Sequence, residues 1–281
     1  MSIAQQVDDA KFLADNKRYL GALTNLMLAV AASSRKTFPK GKTKSLEDPN
    51  KNMSDREAFT LFVGGRINQI LFCEIGSAHI GNSGISISFK GKQHDVAYIL
   101  YKYYRCELVH EGELPAGIEF GPSSSAHNLL FRNSGLNVSI GCGSTMVLDY
   151  GWIELLIEVI VYAPCNAKAF GIRSFNLIPI EGTTEKEHCD LMVQTYGITS
   201  DRFQLLKEVA RHLTPIRIVS DDDEQLIRGF GNLVSKEIIN RGSIVGLSRQ
   251  NLSDINGNLL PKGLNILKYI GVSYNLVEVD A

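Results

Sequence analysis

Two apolar segments constrain the fold of this chain most. Residues 20–32 and 152–163 are its most apolar runs, and both are too short to cross a bilayer. In the first run, apolar residues recur at helical spacing: Leu20, Leu23, Leu26, Met27 and Val30. A chain of 281 residues that is 44% hydrophobic can build one large domain or two ordinary ones. We therefore expect both segments to be core helices of a protein that has no membrane association.

Charge and cysteine content argue against several classes of protein. The 29 basic and 30 acidic residues nearly cancel, so nucleic-acid binding would need a local basic patch. Residues 1–11 are polar and do not resemble a secretory signal. The five cysteines are scattered and form no C-x-x-C pair, which argues against a disulfide framework or a zinc ribbon: Cys73, Cys106, Cys142, Cys165 and Cys189. We interpret them as reduced thiols, which predicts a cytoplasmic protein.

The first 165 residues predict three helices and a minor strand before residue 114. A helix over residues 19–35 is followed by a basic loop to residue 52. Ser54 and Glu57 form a capping-box pattern that starts a second helix, which should reach Cys73. Alternation over residues 85–89 predicts the strand, and a third helix should run from His94 or Asp95 to Gly112.

Residues 114–142 consist of short β-like pieces separated by Gly, Pro, Ser and Asn, which predict a hairpin-like insertion. An apolar helix over residues 145–163 should follow. Together, residues 1–165 predict a mainly α domain, a helical bundle with a small β-hairpin insertion and one shared core.

Residues 166–281 predict a smaller α/β domain. The expected elements are a strand over 174–180, an acidic turn over 181–190, helix 200–213, strand 216–219, a helix from 221–223 to 240, helices 248–253 and 262–270, and strand 274–279. The order of elements in residues 220–281 resembles a winged-helix module. Such an order is common, so it indicates the module only weakly.

The third predicted helix ends in a group of side chains suited to phosphate chemistry. Arg105 precedes His110 by five residues, which at about 100° per residue separates them by about 140° around the helix axis. Both side chains can still converge on one phosphate-sized group beside the helix end. An imidazole transfers protons near neutral pH, and a guanidinium matches phosphate oxygens. Because RNA supplies a nucleophile in its 2′-hydroxyl, this pair predicts phosphodiester cleavage that needs no metal and no cofactor.

The string Arg105-Cys-Glu-Leu-Val-His110 resembles the R-x(4–6)-H motif of the HEPN superfamily. The wider spelling Tyr-Arg-Cys-Glu-Leu-Val-His-Glu-Gly is similar to the abortive-infection, or Apea-like, type. The resemblance covers residues 1–165 and implies a metal-independent endoribonuclease that acts as a homodimer, with a toxin-like role in anti-phage defence or stress response. It implies that Arg105 stabilises the phosphate and that His110 is a general acid or base. Active members often have a polar residue after the arginine, where this chain has Cys106.

Four further residues are candidates for binding the RNA substrate. Tyr101 and Tyr104 could stack on bases or position them. Arg35 and Lys36 open the basic loop, which could follow the phosphate backbone. The same loop also contains acidic residues, so an ordinary solvated loop is the alternative.

The motif and the remaining histidines have simpler interpretations as well. Arg105 could pair with Glu107 or Glu111, while His110 caps the helix through the helix dipole. Ordinary surface or capping roles are expected for four isolated histidines: His79, His94, His127 and His212. His188 beside Cys189 does not reach a metal-ligand count.

The sequence thus predicts an RNA-cleaving enzyme with Arg105 and His110 as its catalytic residues. One alternative is a non-catalytic HEPN-like scaffold that binds RNA, or a protein partner through the C-terminal domain. Another is a DNA-binding regulator that uses residues 220–281.

Overall fold

The computed structural model of the protein describes residues 2–72, 81–123, 129–133, 136–236, 238–239 and 241–279. These residues are mainly helical, with small sheets. They form two compact units, and the boundary in sequence lies between Ile172 and Arg173. In the described part of the chain, no helix is both long enough and apolar enough to cross a bilayer.

The first unit is built on long helices around one core. They are α1 (Ile3–Asp15), α2 (Tyr19–Thr37), α3 (Asp55–Phe72), a helix over residues 96–111 that we call the motif helix, and helix Gly151–Val161, which precedes a 3₁₀ segment, Pro164–Phe170. Fully buried side chains from three of these helices meet in the core: Leu23, Leu26, Phe59, Phe62, Trp152 and Leu156. The sequence did not predict α1, because only Val7 and Ala10 of this helix are buried.

The start of α3 is tied to the loop that precedes it. The Ser54 Oγ accepts a hydrogen bond from the backbone N–H of Glu57 at 3.1 Å, as the capping-box pattern predicts. The buried carboxylate of Glu57 accepts the N–H of Leu46 at 2.6 Å, so it anchors the loop rather than closing the box. The predicted end of this helix, Cys73, lies outside the described residues.

Two small sheets complete the first unit. β1 (Ser86–Phe89) and β2 (Lys92–Asp95) form an antiparallel hairpin. The other sheet has the strand order β3-β6-β5-β4, in which only the β3–β6 pair is parallel. Its strands are β3 (Ile118–Gly121), β4 (Leu129–Asn133), β5 (Leu136–Gly141) and β6 (Met146–Asp149). The predicted hairpin is therefore one part, β4–β5, of a four-stranded sheet.

The start of the predicted helix over residues 145–163 is wrong. Residues 146–149 form β6, in which Met146 and Leu148 are fully buried, and the helix begins only at Gly151. A Cβ atom at residue 151 would lie 2.0 Å from the carbonyl oxygen of Asn137. Only glycine lets the chain pass so close to β5 as it turns from strand to helix.

The second unit has one antiparallel strand pair and six helices among its described residues. β7 (Ser174–Pro179) pairs with β8 (Tyr274–Val279) in a register that sets Leu177 opposite Leu276. The helices are Glu185–Tyr196, Ser200–Leu213, Pro215–Ser220, Asp223–Ser235, Arg241–Ser248 and Pro261–Ser273. Helix 200–213 and strand 274–279 have the bounds that the sequence predicted.

Three predictions for the second unit are wrong. The segment 181–190 contains the start of a helix at Glu185, with a reciprocal capping box between Thr184 and Glu187. Residues 216–219 are helical because Pro215, with its fixed φ, begins a helix. The helix expected over 248–253 instead ends at Ser248. Among the described residues of 220–279, β8 is the only strand and its partner lies outside that segment, so this pairing lends no support to a wing hairpin.

Candidate active site

The motif helix is not a regular α-helix. Asp95 caps its start, because the Oδ1 of Asp95 accepts the N–H of Ala97 at 2.8 Å. Segments Val96–Ile99 and Leu108–Glu111 are α-helical, but Leu100–Glu107 is a π-helix. The N–H of Leu108 bonds to the carbonyl of Tyr103, five residues earlier, and Gly112 ends the helix with a left-handed φ of 79°.

The π register changes which side chains meet. In a π-helix each turn is closed between residues five apart, so side chains at that spacing come close together. The Nη1 of Arg105 lies 3.4 Å from the Nε2 of His110, although α-helical spacing would separate these residues by about 140°. Single-turn π-bulges inside α-helices are frequent at functional sites, and here the π register extends over the eight residues Leu100–Glu107. No sequence signal announced this one.

The contact between Arg105 and His110 assigns a role to one imidazole nitrogen. Because a guanidinium only donates hydrogen bonds, Nε2 is the acceptor in the tautomer that forms this contact. His110 is exposed at the end of the helix. An accessible imidazole beside a guanidinium is suited to exchange a proton with a substrate hydroxyl that lies next to that cation.

The ring of Tyr101 makes a cation–π contact with the Arg105 guanidinium. The Arg105 guanidinium lies 5.8 Å from the centre of the Tyr101 ring, and that ring packs against Phe59 of α3 at 5.5 Å. Burial, followed by a hydrogen bond with Cys106, raises the pKa of Tyr101, so its hydroxyl remains protonated at neutral pH. The thiol of Cys106 itself lies 3.8 Å from the Nη1 of Arg105.

Arg35 reaches the same neighbourhood from the last turn of α2. Its Nε donates to the Oδ1 of Asp55 at 2.7 Å, and its Nη2 donates to the same oxygen. This hydrogen bonding from Arg35 lowers the pKa of Asp55, and the charge of Arg105 contributes to the shift. Arg35 thus binds this carboxylate directly, Tyr101 and Arg105 interact with it electrostatically, and His110 contacts Arg105. Sequence reasoning missed that carboxylate, since an acidic residue in the first turn of a helix is ordinarily explained by the helix dipole.

Two of the predicted substrate-binding residues lie elsewhere. The ammonium of Lys36 donates to the carbonyl of Cys165 at 2.8 Å. Tyr104 is fully buried, and its hydroxyl donates to the carbonyl of Glu119 at 2.8 Å. The Tyr104 ring has no exposed face on which a base could stack, so we leave it out of the site.

The ion pairs that the structure forms bear on the simpler interpretations. Glu107 pairs with Lys102 at 3.4 Å, and within the described residues Arg105 forms no ion pair with Glu107 or Glu111. In the basic loop, Lys51 pairs with Asp48 at 3.0 Å, as an ordinary solvated loop would show. The candidate site therefore depends on Arg35 and not on the loop as a whole.

The remaining histidines and cysteines are dispersed. His94 stacks on Tyr98 with ring centroids 5.0 Å apart, whereas Cys73, His79 and His127 lie outside the described residues. The other four cysteines are not in disulfide bonds in the part of the chain that the structure describes. Among the residues that the structure describes, no three His, Cys, Asp or Glu side chains gather closely enough to hold a metal ion.

Comparisons with known proteins give one match. The model of the Rv1289 family, a family of unknown function, matches residues 2–178, which is more than half of the chain. The matched range includes every residue of the candidate site. No curated protein and no solved structure matches the chain.

Proposed function

The chain belongs to the Rv1289 family, and we propose that its first unit is a metal-independent endoribonuclease of the HEPN type. The observation that carries this proposal is the 3.4 Å contact between the Arg105 guanidinium and the His110 imidazole at the end of the motif helix. The spelling of the motif and the helical character of the first unit agree with it. The natural setting that we propose, from the resemblance alone, is toxin-like RNA cleavage in anti-phage defence or stress response.

The proposed reaction is attack of a ribose 2′-hydroxyl on the adjacent phosphorus. His110 accepts the hydroxyl proton at Nε2 while the bond from the 2′-oxygen to phosphorus forms and the bond to the 5′-oxygen breaks. The Arg105 guanidinium stabilises the negative charge that develops on the non-bridging oxygens. The products are a 2′,3′-cyclic phosphate and a 5′-hydroxyl, which takes up one proton.

A homodimer would complete this proton balance. In the arrangement that we propose, two copies of the motif face one cleft, so one His110 accepts the proton from the 2′-hydroxyl and the other copy donates a proton to the leaving 5′-oxygen. Tyr101 positions Arg105, and Arg35 provides a second cation for the RNA backbone.

The test is cleavage of total RNA by the purified full chain in EDTA. We expect fragments that carry 5′-hydroxyl and 2′,3′-cyclic phosphate ends, and a loss of roughly 100-fold or more in rate for Arg105→Ala. Arg173→Ala is the matched control, because this exposed guanidinium lies in the second unit and makes only a 3.8 Å ion pair with Glu278. Cleavage by Arg105→Ala at the wild-type rate, or no cleavage by the wild type, would overturn the proposal.

A second candidate is a non-catalytic scaffold that binds RNA through the same side chains. The observation that favours it is Cys106, whose thiol touches the guanidinium at the position where active relatives often have a more polar group. RNA binding that requires Arg105, without cleavage under any condition, would support this candidate over the enzyme.

A further inference from the structure

The carboxylate of Asp55 occupies an unusual place between two helices that carry arginine. Asp55 and Phe59 lie one turn apart on α3, and Tyr101 and Arg105 lie four residues apart on the motif helix. Since the ring of Phe59 packs on that of Tyr101, and the guanidinium of Arg105 lies over Tyr101, this face of α3 looks onto the Arg105 side of the motif helix. Among the described residues the ion pair of Asp55 is with Arg35, and the charges of Lys40 and Arg105 add to the lowering of its pKa at longer range.

Arg35 completes the arrangement from the end of α2. Two of its nitrogens converge on one oxygen of Asp55, the Oδ1 atom. The pair sits at the surface, where the Asp55 side chain is 55% exposed and that of Arg35 is 22% exposed. A guanidinium bound to an exposed carboxylate is a place where a phosphate group can compete, because arginine binds carboxylates and phosphates by the same geometry.

We propose that Asp55 is an internal competitor of the RNA phosphate: its carboxylate holds Arg35 and screens Arg105 while the site is empty, and Arg35 exchanges the carboxylate for a backbone phosphate when RNA binds. This inference rests on the proposed function, since it assigns the substrate contact of the same site. The exchange is feasible because an ion pair at the protein surface contributes little to stability, so a phosphate can replace the carboxylate at small cost. Asp55 therefore lowers the affinity for RNA and favours release of the product.

The experiment compares Asp55→Asn with the wild-type full chain. The probe is a fluorescent single-stranded RNA with 2′-O-methyl sugars throughout, which cannot be cleaved by this route, and its dissociation constant is measured by anisotropy over a range of salt concentrations. Glu47→Gln is the matched control, because Glu47 precedes the same helix, is 76% exposed and pairs with Arg56 at 3.9 Å. Thermal unfolding of each variant verifies that it is folded.

We expect Asp55→Asn to bind the probe about two- to fivefold more tightly at low salt, with a steeper salt dependence. Glu47→Gln should bind within about twofold of the wild type. Equal or weaker binding by Asp55→Asn, with clear binding by the wild type, overturns this inference and leaves the proposed function standing. No binding by any of the three proteins overturns both.

Discussion

His110 and His188 both have polar partners, but the structure uses them in opposite ways. His188 is buried in the second unit, where its Nδ1 lies 2.5 Å from the Tyr269 hydroxyl and its Nε2 lies 2.9 Å from the Thr183 hydroxyl. His110 is exposed, and its Nε2 makes a single long contact, 3.4 Å to the Nη1 of Arg105. One imidazole has both nitrogens occupied, and the other has an open edge.

This difference in burial indicates which of the two histidines a substrate could reach. The ring of His188 also packs against two tyrosines, Tyr269 and Tyr274, at centroid distances of 5.6 and 5.0 Å. A substrate could reach His188 only by displacing core side chains, so its hydrogen bonds act to fix the fold. His110 can exchange its weak contact for a substrate hydroxyl without disturbing the core. Exposure and hydrogen-bond saturation, and not the presence of a polar neighbour, separate the two roles.

The largest expected effect is the loss of cleavage in His110→Ala. Removing a general base should lower the rate of RNA cleavage in EDTA by about 100- to 10,000-fold. The free energy of unfolding should change by less than about 0.5 kcal/mol, because the side chain is exposed. Cleavage rates and urea denaturation measure the two effects. His94→Ala, which removes an imidazole stacked on Tyr98 of the same helix, is the control, and equal losses in both variants would contradict the catalytic role.

His188→Ala should show the reverse pattern. It removes the histidine partner of the Tyr269 hydroxyl and one of the two partners of the Thr183 hydroxyl, which still donates to the carbonyl of Ile180, and it opens a cavity. The free energy of unfolding should therefore fall by about 2–4 kcal/mol. The cleavage rate per folded molecule should stay at the wild-type value. A stable His188→Ala protein that had lost cleavage would break the comparison and assign the chemistry to the second unit.

The helices with long apolar periodicity could be predicted from sequence, whereas short elements could not. The predicted helix 19–35 is α2, and helix 200–213 has the predicted bounds, because their buried faces repeat over several turns. Segments such as 146–149 and 216–219 are too short for the pattern to distinguish strand from helix. Their state is decided by the neighbouring strand in the first case and by Pro215 in the second.

The candidate site was predictable in its residue types but not in its geometry. Arg105 and His110 follow from the motif, yet their contact occurs where a π segment that no local pattern indicated, Leu100–Glu107, passes into the α-helical turn of His110. Asp55 was missed because its role arises from the approach of α2 and the motif helix to the start of α3. Tyr104 lies next to the motif arginine in sequence, but its side chain is buried in the core. The predicted α-helix did not indicate on which side of the helix this ring would lie.

Acid titration can test whether the hydrogen-bonded group of Glu185, Gln204 and Lys207 in the second unit stabilises the fold. Burial alone would raise the pKa of Glu185, but hydrogen bonds from Lys207 and Gln204 outweigh it, so the net shift is downward. A carboxylate whose pKa is lowered in the folded state stabilises the fold at pH values above its ordinary pKa, about 4.3. This stabilisation is lost as the pH falls through the lower pKa of the folded state.

We therefore expect Glu185→Gln to lose less stability than the wild type between neutral pH and the acid range, by up to about 1 kcal/mol after allowing for solvent screening. Urea denaturation at a series of pH values measures the difference. Glu224→Gln, a change in the first turn of helix Asp223–Ser235, is the control and should follow the wild-type curve. A Glu185→Gln curve parallel to the wild-type curve would show that the ion pair contributes nothing to the fold.

The smallest effect is expected for Lys36→Ala. Comparing it with Arg35→Ala asks whether a cation binds RNA only when a substrate can replace its partner. The Lys36 ammonium donates to the carbonyl of Cys165, whereas the Arg35 guanidinium is held by an exposed carboxylate that a phosphate can replace. Lys36→Ala should therefore change the affinity for uncleavable RNA by less than about twofold, and Arg35→Ala should weaken it and reduce the salt slope by about one. If Lys36→Ala had the larger effect, the RNA would follow the side of α2 that faces Cys165. The type of hydrogen-bond partner that each cation has in the free protein would then not predict which cation binds RNA.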